Sequence, residues 1–466
     1  MHLYSERRPG VNNKKTLKFS ILFFLLFLIF QASSFAQRTG YSKEEIMRRR
    51  NALMEQVKEG MIVLFGEPMP QHGVHFRQDN DFYYFSGRED LNAILVMVPK
   101  TKETYLFLPA QTQREEMVEG PNLLKDQRAK EITGVTDIFP ISYFDEFMAR
   151  NSRRFGLSLF LRLSPPDAVD NARSETLIFT ARKDRIHYND QIPLDNYRIN
   201  KLKEKYPAFE FKDIVPLIDT MRMIKSAEEI EIMRRNGIIS AEAVKQAMLS
   251  TAPGVYEYEI EAAAMHVILK NGAKGPAYAP IVGSGPNSCI WHYSQNSRKV
   301  EDGDLVLMDF GADLDYLCMD ITRTWPASGK FTPEQREIYN TVLEVQKACI
   351  EAYRPGATSE DVQQHVAEVM KKKGLDARGL KGGMGHYVGM AVHDVGPSGI
   401  PLKEGMVFAI EPALYYPEKK IGIRIEDTVL ITKDGCEVLT KDVPKEIDEI
   451  EKLLAQKALR GSASSR

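Results

Sequence analysis

Cysteine is scarce in this chain, with only four residues among 466. None of the four stands in a Cys-x-x-Cys pair, so the sequence gives no support to a zinc knuckle or a thioredoxin-like redox motif. We expect the cysteines to be buried as small hydrophobic side chains, and their spacing leaves open whether any two of them form a disulfide. The four residues are Cys289, Cys318, Cys349 and Cys436.

The chain also lacks an excess of charge of either sign. It contains 62 Lys and Arg residues against 64 Asp and Glu residues, which gives a formal net charge of −2. Acidic and basic residues are interspersed along the sequence, and no basic stripe that would follow a phosphate backbone is present. The sequence therefore predicts no nucleic-acid partner.

Long apolar runs are absent with one exception, residues 19–30. Three lysines between positions 14 and 18 precede this run, and the small-x-small triplet Ser34-Phe35-Ala36 follows it, a pattern typical of a secretory signal peptide. The run is shorter than the roughly 20 residues that span a bilayer. We predict a signal peptide over residues 1–36, a secreted or periplasmic protein, and no membrane span in the mature chain. An uncleaved membrane anchor is the alternative.

Two domains fit the length of the remaining chain. Apolar strand-like runs at 61–65, 93–98 and 104–108 alternate with polar, potentially helical stretches, which predicts an α/β domain over residues 40–218. A change of pattern follows.

The second domain is predicted over residues 222–456. Ser226-Ala-Glu-Glu229 and Thr332-Pro-Glu-Gln335 are capping-box sequences, and each precedes apolar residues at helical spacing. Proline in the second sequence stands at the favoured first helical position. The tail, residues 457–466, is expected to be disordered.

A shift of 102 residues superimposes two parts of the second domain. A register kept without a gap over this distance indicates an internal duplication into two similar halves. Each half would place an acid at the end of a buried strand. The matched residues are Pro253-Gly254 with Pro355-Gly356, Ile260 with Val362, Val267 with Val369, Lys270 with Lys372, Gly272 with Gly374, Gly303 with Gly405 and Asp309 with Glu411.

The acids of this duplication point to a metal centre. Asp309 and Glu411 follow apolar runs, and burying an unpaired carboxylate costs several kcal/mol or more, so a positive group must face them. Asp320 and Glu426 stand in short extended runs, and together with His386 they complete a set of four carboxylates and one imidazole. Such donors match Mn²⁺, Zn²⁺ or Co²⁺. Two ions about 3.5–4 Å apart would support amide hydrolysis. For each acid taken alone, a solvated turn or an ion pair remains the alternative.

Several segments resemble the metal-dependent aminopeptidases of the pita-bread fold, and in particular their proline-directed branch, aminopeptidase P and prolidase. The resemblance implies a creatinase/prolidase-like α/β N-terminal domain followed by an α+β pita-bread catalytic domain with a pseudo-twofold axis. The segments that carry it are residues 76–87 (FRQDNDFYYFSG), 281–293 (IVGSGPNSCIWHY), 309–326, 386–396 (HYVGMAVHDVG), 411–415 (EPALY) and 422–427 (GIRIED).

The resemblance assigns a role to each member of the donor set. It implies that Asp309 chelates one metal ion, that Asp320, Glu411 and Glu426 bridge two, and that His386 caps the second. Two divalent ions per subunit are therefore expected, with Mn²⁺ as the first candidate and Zn²⁺ or Co²⁺ as alternatives.

Further residues are implied to act on the substrate. His292 and His393 would bind it and stabilise the tetrahedral intermediate, while Glu411 would transfer the proton of the attacking water. Tyr415 would border the proline subsite and Arg424 would brace the carboxylates.

Two positions depart from the family pattern. Gly382 stands where a substrate-contacting His is frequent, and Tyr83, expected to pack against the substrate proline, stands where a Trp is common.

The resemblance implies a secreted Xaa-Pro aminopeptidase, which removes the first residue from peptides with proline in second position. A homo-oligomer, dimer or tetramer, is expected, with the N-terminal domain enclosing the cleft. Two alternatives remain open: a prolidase restricted to Xaa-Pro dipeptides, and a metal-free relative that binds peptides without catalysis.

Overall fold

The computed structural model describes residues 40–69, 75–167, 171–173, 176, 178, 194–376, 378–382 and 385–463. Tyr41–Arg466 forms one compact unit. The predicted signal peptide, residues 1–36, lies outside the described residues, so export stays a prediction. In the part of the chain that the structure describes, every helix is too short or too polar to cross a membrane.

Helices and strands are numbered here in chain order. The helices are α1 Lys43–Val57, α2 Asn80–Ser86, α3 Gln113–Glu119, α4 Ala129–Thr133, α5 Phe144–Phe155, α6 Leu194–Lys205, α7 Val215–Met223, α8 Ala227–Ser250, α9 Glu257–Lys270, α10 Pro333–Ala352, α11 Ser359–Lys373 and α12 Ile447–Ala463. The strands are β1 Met61–Phe65, β2 Ile94–Val98, β3 Glu103–Leu108, β4 Asp137–Pro140, β5 Ser158–Leu161, β6 Glu210–Asp213, β7 Gly275–Pro276, β8 Ile281–Ser284, β9 Leu305–Phe310, β10 Ala312–Leu314, β11 Leu317–Cys318, β12 Ile321–Pro326, β13 His386–Tyr387, β14 Val407–Ile410, β15 Ala413–Tyr416, β16 Ile421–Arg424, β17 Asp427–Ile431 and β18 Cys436–Val438.

The N-terminal part runs from α1 to β6. It contains a six-stranded sheet in the order β4-β3-β2-β1-β5-β6. Alternate residues of β1 enter two separate cores: Ile62 packs in the core that contains α1 and α2, and Val63 in the one that contains α5 and α6. A sheet covered on both faces explains why its central strands read as unbroken apolar runs. The predicted α/β class of this part is confirmed.

The C-terminal part runs from α8 to α12 and is here called the catalytic part after the predicted catalytic domain. It contains two helix pairs, α8 with α9 and α10 with α11, and both pairs begin at the predicted capping boxes. Glycines matched by the 102-residue shift share a positive φ: 98° at Gly254 and 86° at Gly356, then 83° at Gly303 and 86° at Gly405. This left-handed region strongly favours glycine, so the two halves require the same residue at the same turns. The backbone thus repeats where the sequence does.

Two antiparallel strand pairs place the four acids at corresponding positions. β9 pairs with β12, so that Asp309 faces Thr322, and β14 pairs with β17 in the second half. Asp320 immediately precedes β12, while Glu411 follows β14 and Glu426 precedes β17. A hydrogen bond of 3.0 Å from the Glu426 amide to the Thr322 carbonyl joins the halves.

The C-terminal helix differs from expectation. Residues 457–463 continue α12 to Ala463, whereas the sequence analysis assigned them to a disordered tail. The segment begins with Lys, Ala, Leu and Arg before the glycine at 461, and these residues favour a helix.

All four cysteines are thiols. Cys318 and Cys349 are buried, and Cys289 and Cys436 are half-buried.

The two tryptophans of the chain provide a test of the packing. Trp325 on β12 is fully buried and donates its indole N–H to the Thr251 hydroxyl at 3.0 Å, whereas Trp291 is 50% exposed. We expect Trp325→Ala to lower the free energy of unfolding by about 3–5 kcal/mol, because it leaves a large cavity. The control, Trp291→Ala, should cost less than about 1 kcal/mol. Urea unfolding followed by circular dichroism measures both, and equal losses would contradict the described burial.

Candidate functional site

The predicted site residues converge on one cavity of about 520 Å³. Both halves of the catalytic part contribute to its walls, and Asn171 and Thr176 contribute from the N-terminal part. The predicted residues among its lining are Asp309, Asp320, His386, Glu411, Glu426, His292, His393, Tyr415 and Arg424.

The proposed metal ligands lie close together. Ligand atoms of Asp320, His386 and Glu426 all lie within 4.8 Å of one another. The Nε2 atom of His386 is 3.5 Å from Oδ2 of Asp320 and 3.8 Å from Oε1 of Glu411. Asp309 joins the group through Tyr278, whose hydroxyl lies within hydrogen-bond distance of Asp309 and 2.5 Å from Oδ1 of Asp320.

The electrostatics of this cluster fit divalent cations. Burial, and then repulsion from Asp309, raise the pKa of Asp320 to about 6. Burial and the charge of Asp320 raise the pKa of Glu426 well above its ordinary value. These raised pKa values show that the buried acids of the cluster outnumber the cationic side chains that face them. Full ionisation of the acids therefore requires added positive charge. Carboxylate and imidazole donors suit borderline or hard divalent ions.

The imidazole of the cluster responds in the opposite direction. Burial lowers the pKa of His386, but its hydrogen bond and attraction to Asp320, together with the charge of Glu411, outweigh the burial and raise that pKa to about 9. Its Nδ1 lies 3.0 Å from the Tyr387 carbonyl, which leaves Nε2 directed at the acids. This orientation is compatible with the metal-ligand role that the sequence analysis predicts for His386.

Arg424 holds the Asp309 end of the cluster. Its Nη2 forms an ion pair with Oδ2 of Asp309, and its Nη1 donates to the Tyr415 hydroxyl at 2.7 Å. Its Nε donates to the Thr322 hydroxyl at 3.0 Å. The guanidinium is buried, so these contacts fix the direction of the Asp309 carboxylate. This is the place that the resemblance implies for Arg424.

Two histidines flank the ligands without belonging to the tight donor group. The ring centroid of His393 is 3.8 Å from that of His386, and His292 is exposed on the cavity wall. The His292 loop is anchored by Glu257, a fully buried carboxylate that accepts hydrogen bonds of 2.7–2.8 Å from the Ser284 amide, the Tyr293 hydroxyl and the Arg298 amide.

The structure corrects the expected role of Tyr83. Its side chain is fully buried, and its ring stacks on Tyr316 with centroids 3.5 Å apart. Among the described residues, those that line the cavity do not include Tyr83. The aromatic cavity wall is instead formed by Tyr415 and Trp291, whose ring centroids are 6.0 Å apart. Tyr83 therefore belongs to the hydrophobic core, where its ring packs against the ring of Tyr316.

Several site residues escaped the sequence analysis. Tyr278, Trp291 and Asn171 line the cavity, and a lone Tyr, Trp or Asn carries no spacing signal. The departure at Gly382 also lies on the cavity wall. Its φ is +63°, and a Cβ atom there would lie 2.4 Å from the Glu411 carbonyl oxygen. A larger residue at 382 would require the backbone to move.

Comparison with known families now adds to this geometry. Residues 231–433 match metallopeptidase family M24, and residues 46–155 match the N-terminal domain of aminopeptidase P. The first match contains every predicted metal ligand, and the second contains the first four strands of the six-stranded sheet and ends with α5.

Individual relatives match over most of their length. The chain is 35% identical to the Xaa-Pro aminopeptidase of Escherichia coli K12, over 89% of this chain and 98% of the relative. It is 33% identical to the Xaa-Pro aminopeptidase of Haemophilus influenzae, over 88% of this chain and 97% of the relative.

Solved structures agree with these relatives. The E. coli aminopeptidase P with the inhibitor Pro-Leu superimposes with a TM-score of 0.74 at 31% identity, covering 90% of this chain and 99% of that one. Proline aminopeptidase P II of Yersinia pestis gives 0.74 at 31% identity, covering 89% and 100%. These likenesses confirm the predicted fold, an α/β N-terminal domain followed by a pita-bread catalytic domain. The chain belongs to metallopeptidase family M24, in the group that carries an aminopeptidase P N-terminal domain, and it is a metal-dependent peptidase.

Proposed function

We propose that the chain is a secreted Xaa-Pro aminopeptidase with two divalent metal ions per subunit. The observation that carries the proposal is the convergence of Asp309, Asp320, His386, Glu411 and Glu426 on one cavity that His292 and His393 also line. Relatives named Xaa-Pro aminopeptidase that match over nearly their whole length support the same assignment.

The donor set would hold two ions, with Mn²⁺ as the first candidate and Zn²⁺ or Co²⁺ as alternatives. When bound, the ions would lower the pKa of a water molecule and polarise the scissile carbonyl. The E. coli aminopeptidase P has been solved in a zinc-substituted form with product, which supports zinc as an alternative. Metal analysis of the purified protein decides between the ions.

Residues of this chain supply the remaining steps. Glu411, whose side chain is 32% exposed, faces the cavity and takes a proton from the attacking water. It then delivers that proton to the prolyl nitrogen, which leaves as an amine. His393 and His292 donate hydrogen bonds to the oxygen on which negative charge develops. Arg424 and Tyr278 keep Asp309 in place throughout.

Proline in second position explains the need for a dedicated enzyme. Its imide nitrogen carries no N–H and its ring restricts the chain, so a site that expects an ordinary peptide bond fits it poorly. The cavity, at about 520 Å³, lies within the range of roughly 300–1,000 Å³ for ligand pockets. Its aromatic wall of Tyr415 and Trp291 offers an apolar surface to the ring.

A prolidase is the second candidate, and one observation favours it. The chain is 39% identical over 247 residues to the Xaa-Pro dipeptidase of Pyrococcus furiosus. That match covers 52% of this chain, however, whereas the aminopeptidases match through the N-terminal domain as well. The aminopeptidase is therefore preferred, and peptide length separates the two.

Export and oligomerisation complete the proposal. The lysines, apolar run and small-x-small triplet before Gln37 support a cleaved signal peptide. Amino-terminal sequencing of the protein from a culture medium or periplasm should begin near residue 37. A homo-oligomer, dimer or tetramer, is proposed on the resemblance, and light scattering of the purified protein measures it.

Removal of a carboxylate from the proposed donor set tests the metal centre. We expect Asp320→Ala or Glu411→Ala to abolish turnover and to weaken metal retention, because the ions lose part of their neutralising charge. Inductively coupled plasma spectrometry measures the metal content. The control is Glu418→Ala, an exposed carboxylate between β15 and β16 that should change neither property. Full activity in a metal-depleted variant would refute the dinuclear centre.

The two neighbouring histidines should behave differently. His386→Ala should lose metal, because it removes a ligand. His393→Ala should keep nearly all of its metal but lower kcat by about 10²-fold, as expected when a donor to a developing oxyanion is lost. Metal analysis and steady-state kinetics of the two variants decide the matter, and identical metal contents would show that the roles are misassigned.

Peptide specificity provides an independent test. We expect efficient cleavage of Arg-Pro-Pro, slower cleavage of Ala-Pro and little cleavage of Ala-Ala-Ala. The physical reason is that the cavity would recognise the proline ring and the free amino end together. Amino acid release, quantified by chromatography, gives the three rates. Cleavage of dipeptides alone would identify a prolidase, and equal rates on Ala-Ala-Ala would refute a proline-directed enzyme.

A further inference from the structure

The loop that carries His393, residues 388–394 and here called the His393 loop, is fixed by residues of the N-terminal part. The Met390 carbonyl accepts hydrogen bonds from Nη2 of Arg77 at 2.9 Å and from Nδ2 of Asn80 at 3.2 Å. The His393 carbonyl accepts from the Ala172 amide at 2.8 Å. The backbone of this loop is therefore held on both sides of its centre.

A buried ion network secures the end of the same loop. The Asp394 carboxylate binds Nη2 of Arg222 at 2.7 Å and Nζ of Lys225 at 3.1 Å. Arg222 also binds Asp81 at 3.1 Å and Asp167 at 2.6 Å, and the side chains of all five residues are at most 1% exposed. A buried ion pair is weak evidence for stability, since apolar replacements are often equally stable. Its use here is geometric.

Arg77 connects these anchors to the catalytic part. Its Nε binds Oδ2 of Asp313 on β10 at 2.9 Å, and its guanidinium lies 4.6 Å from the centre of the Tyr316 ring. Its Nη1 bonds to Oδ1 of Asn80 at 2.5 Å. Asp313, the Tyr316 ring and Asn80 therefore fix the position of the guanidinium that donates to the Met390 carbonyl.

We propose that Arg77, assisted by Asn80, is a positioning residue for His393. The hydrogen bond from Arg77 to the Met390 carbonyl holds the His393 loop in the position at which the His393 imidazole faces the scissile carbonyl. The proposal rests on the proposed function of His393. On this proposal the segment from Arg77 to Asp81 contributes to catalysis in its own subunit, in addition to enclosing the cleft.

A double-mutant cycle tests the proposal. Arg77→Met keeps the unbranched stem of the side chain and removes the guanidinium with its donors. We expect it to lower kcat by about 10-fold or more with a smaller change in KM, because small misplacements of a catalytic group are costly. On the His393→Ala background the same substitution should change kcat by less than about two-fold, since residues that act as a unit are not additive.

Arg198→Met is the matched control. Arg198 is 15% exposed against 20% for Arg77, donates to the Gly66 carbonyl at 2.8 Å, pairs with Asp195 and lies over the Phe65 ring. Arg198 therefore makes the same kinds of contact as Arg77, but these contacts lie within the N-terminal part and do not involve the His393 loop. We expect kcat within about two-fold of the native value. An equal loss in both Arg variants would overturn the proposal.

A spectroscopic readout separates this inference from the proposed function. In the zinc-loaded protein, long-range ¹H–¹⁵N spectra of the imidazoles identify the His393 signal by its loss in His393→Ala. Arg77→Met should shift that signal and Arg198→Met should not, whichever peptide is cleaved. If Arg77→Met does not fold, Asn80→Ala enters the same cycle and spectra. An unmoved His393 signal, or a full multiplicative effect on the His393→Ala background, would overturn the proposal.

Discussion

Four carboxylates at the ends of buried strands face one cavity, and the charge they concentrate there constrains the rest of the site. An unpaired buried carboxylate costs several kcal/mol, so the surrounding structure has to supply positive charge and hydrogen-bond donors. Arg424 and Tyr278 do so for Asp309, and His386 does so for Asp320. These groups leave Asp320 and Glu426 with raised pKa values, which is the condition that bound divalent cations would relieve.

A second cluster of buried acids solves the same problem differently. Burial would raise the pKa of Asp394, but Arg222 and Lys225 outweigh it and lower that pKa. The pKa of Asp394 thus moves in the opposite direction from the pKa values of Asp320 and Glu426. Asp394, which Arg222 and Lys225 neutralise, fixes the backbone around His393, whereas Asp320 and Glu426 belong to the proposed metal centre. In the proposed function both clusters are needed, because the metal ligands and His393 would have to meet one substrate.

The predictions that held were those based on repeated or periodic signals. The 102-residue shift foretold strand ends that carry Asp309 and Glu411, and the positive φ angles of Gly303 and Gly405 show that the backbone follows it. Capping boxes at Ser226 and Thr332 marked both helix starts. The role expected for Tyr83 failed, because an aromatic residue in a resembling motif can face a core as well as a cavity. The predicted disordered tail also differs from the structure, in which residues 457–463 belong to α12.

The sequence by itself determined the fold class, the order of the elements and the candidate donor set, since strand periodicity, turn glycines and residue chemistry are all local properties of the chain. Only the tertiary structure decided which distant groups meet. Tyr278 touches two acids, Glu257 anchors the His292 loop, and Arg77 reaches the carbonyl of Met390. Each of these contacts joins side chains or carbonyls whose separation along the chain is unrelated to their separation in space. Packing of the two parts against each other sets the distances, and no spacing in the sequence encodes them.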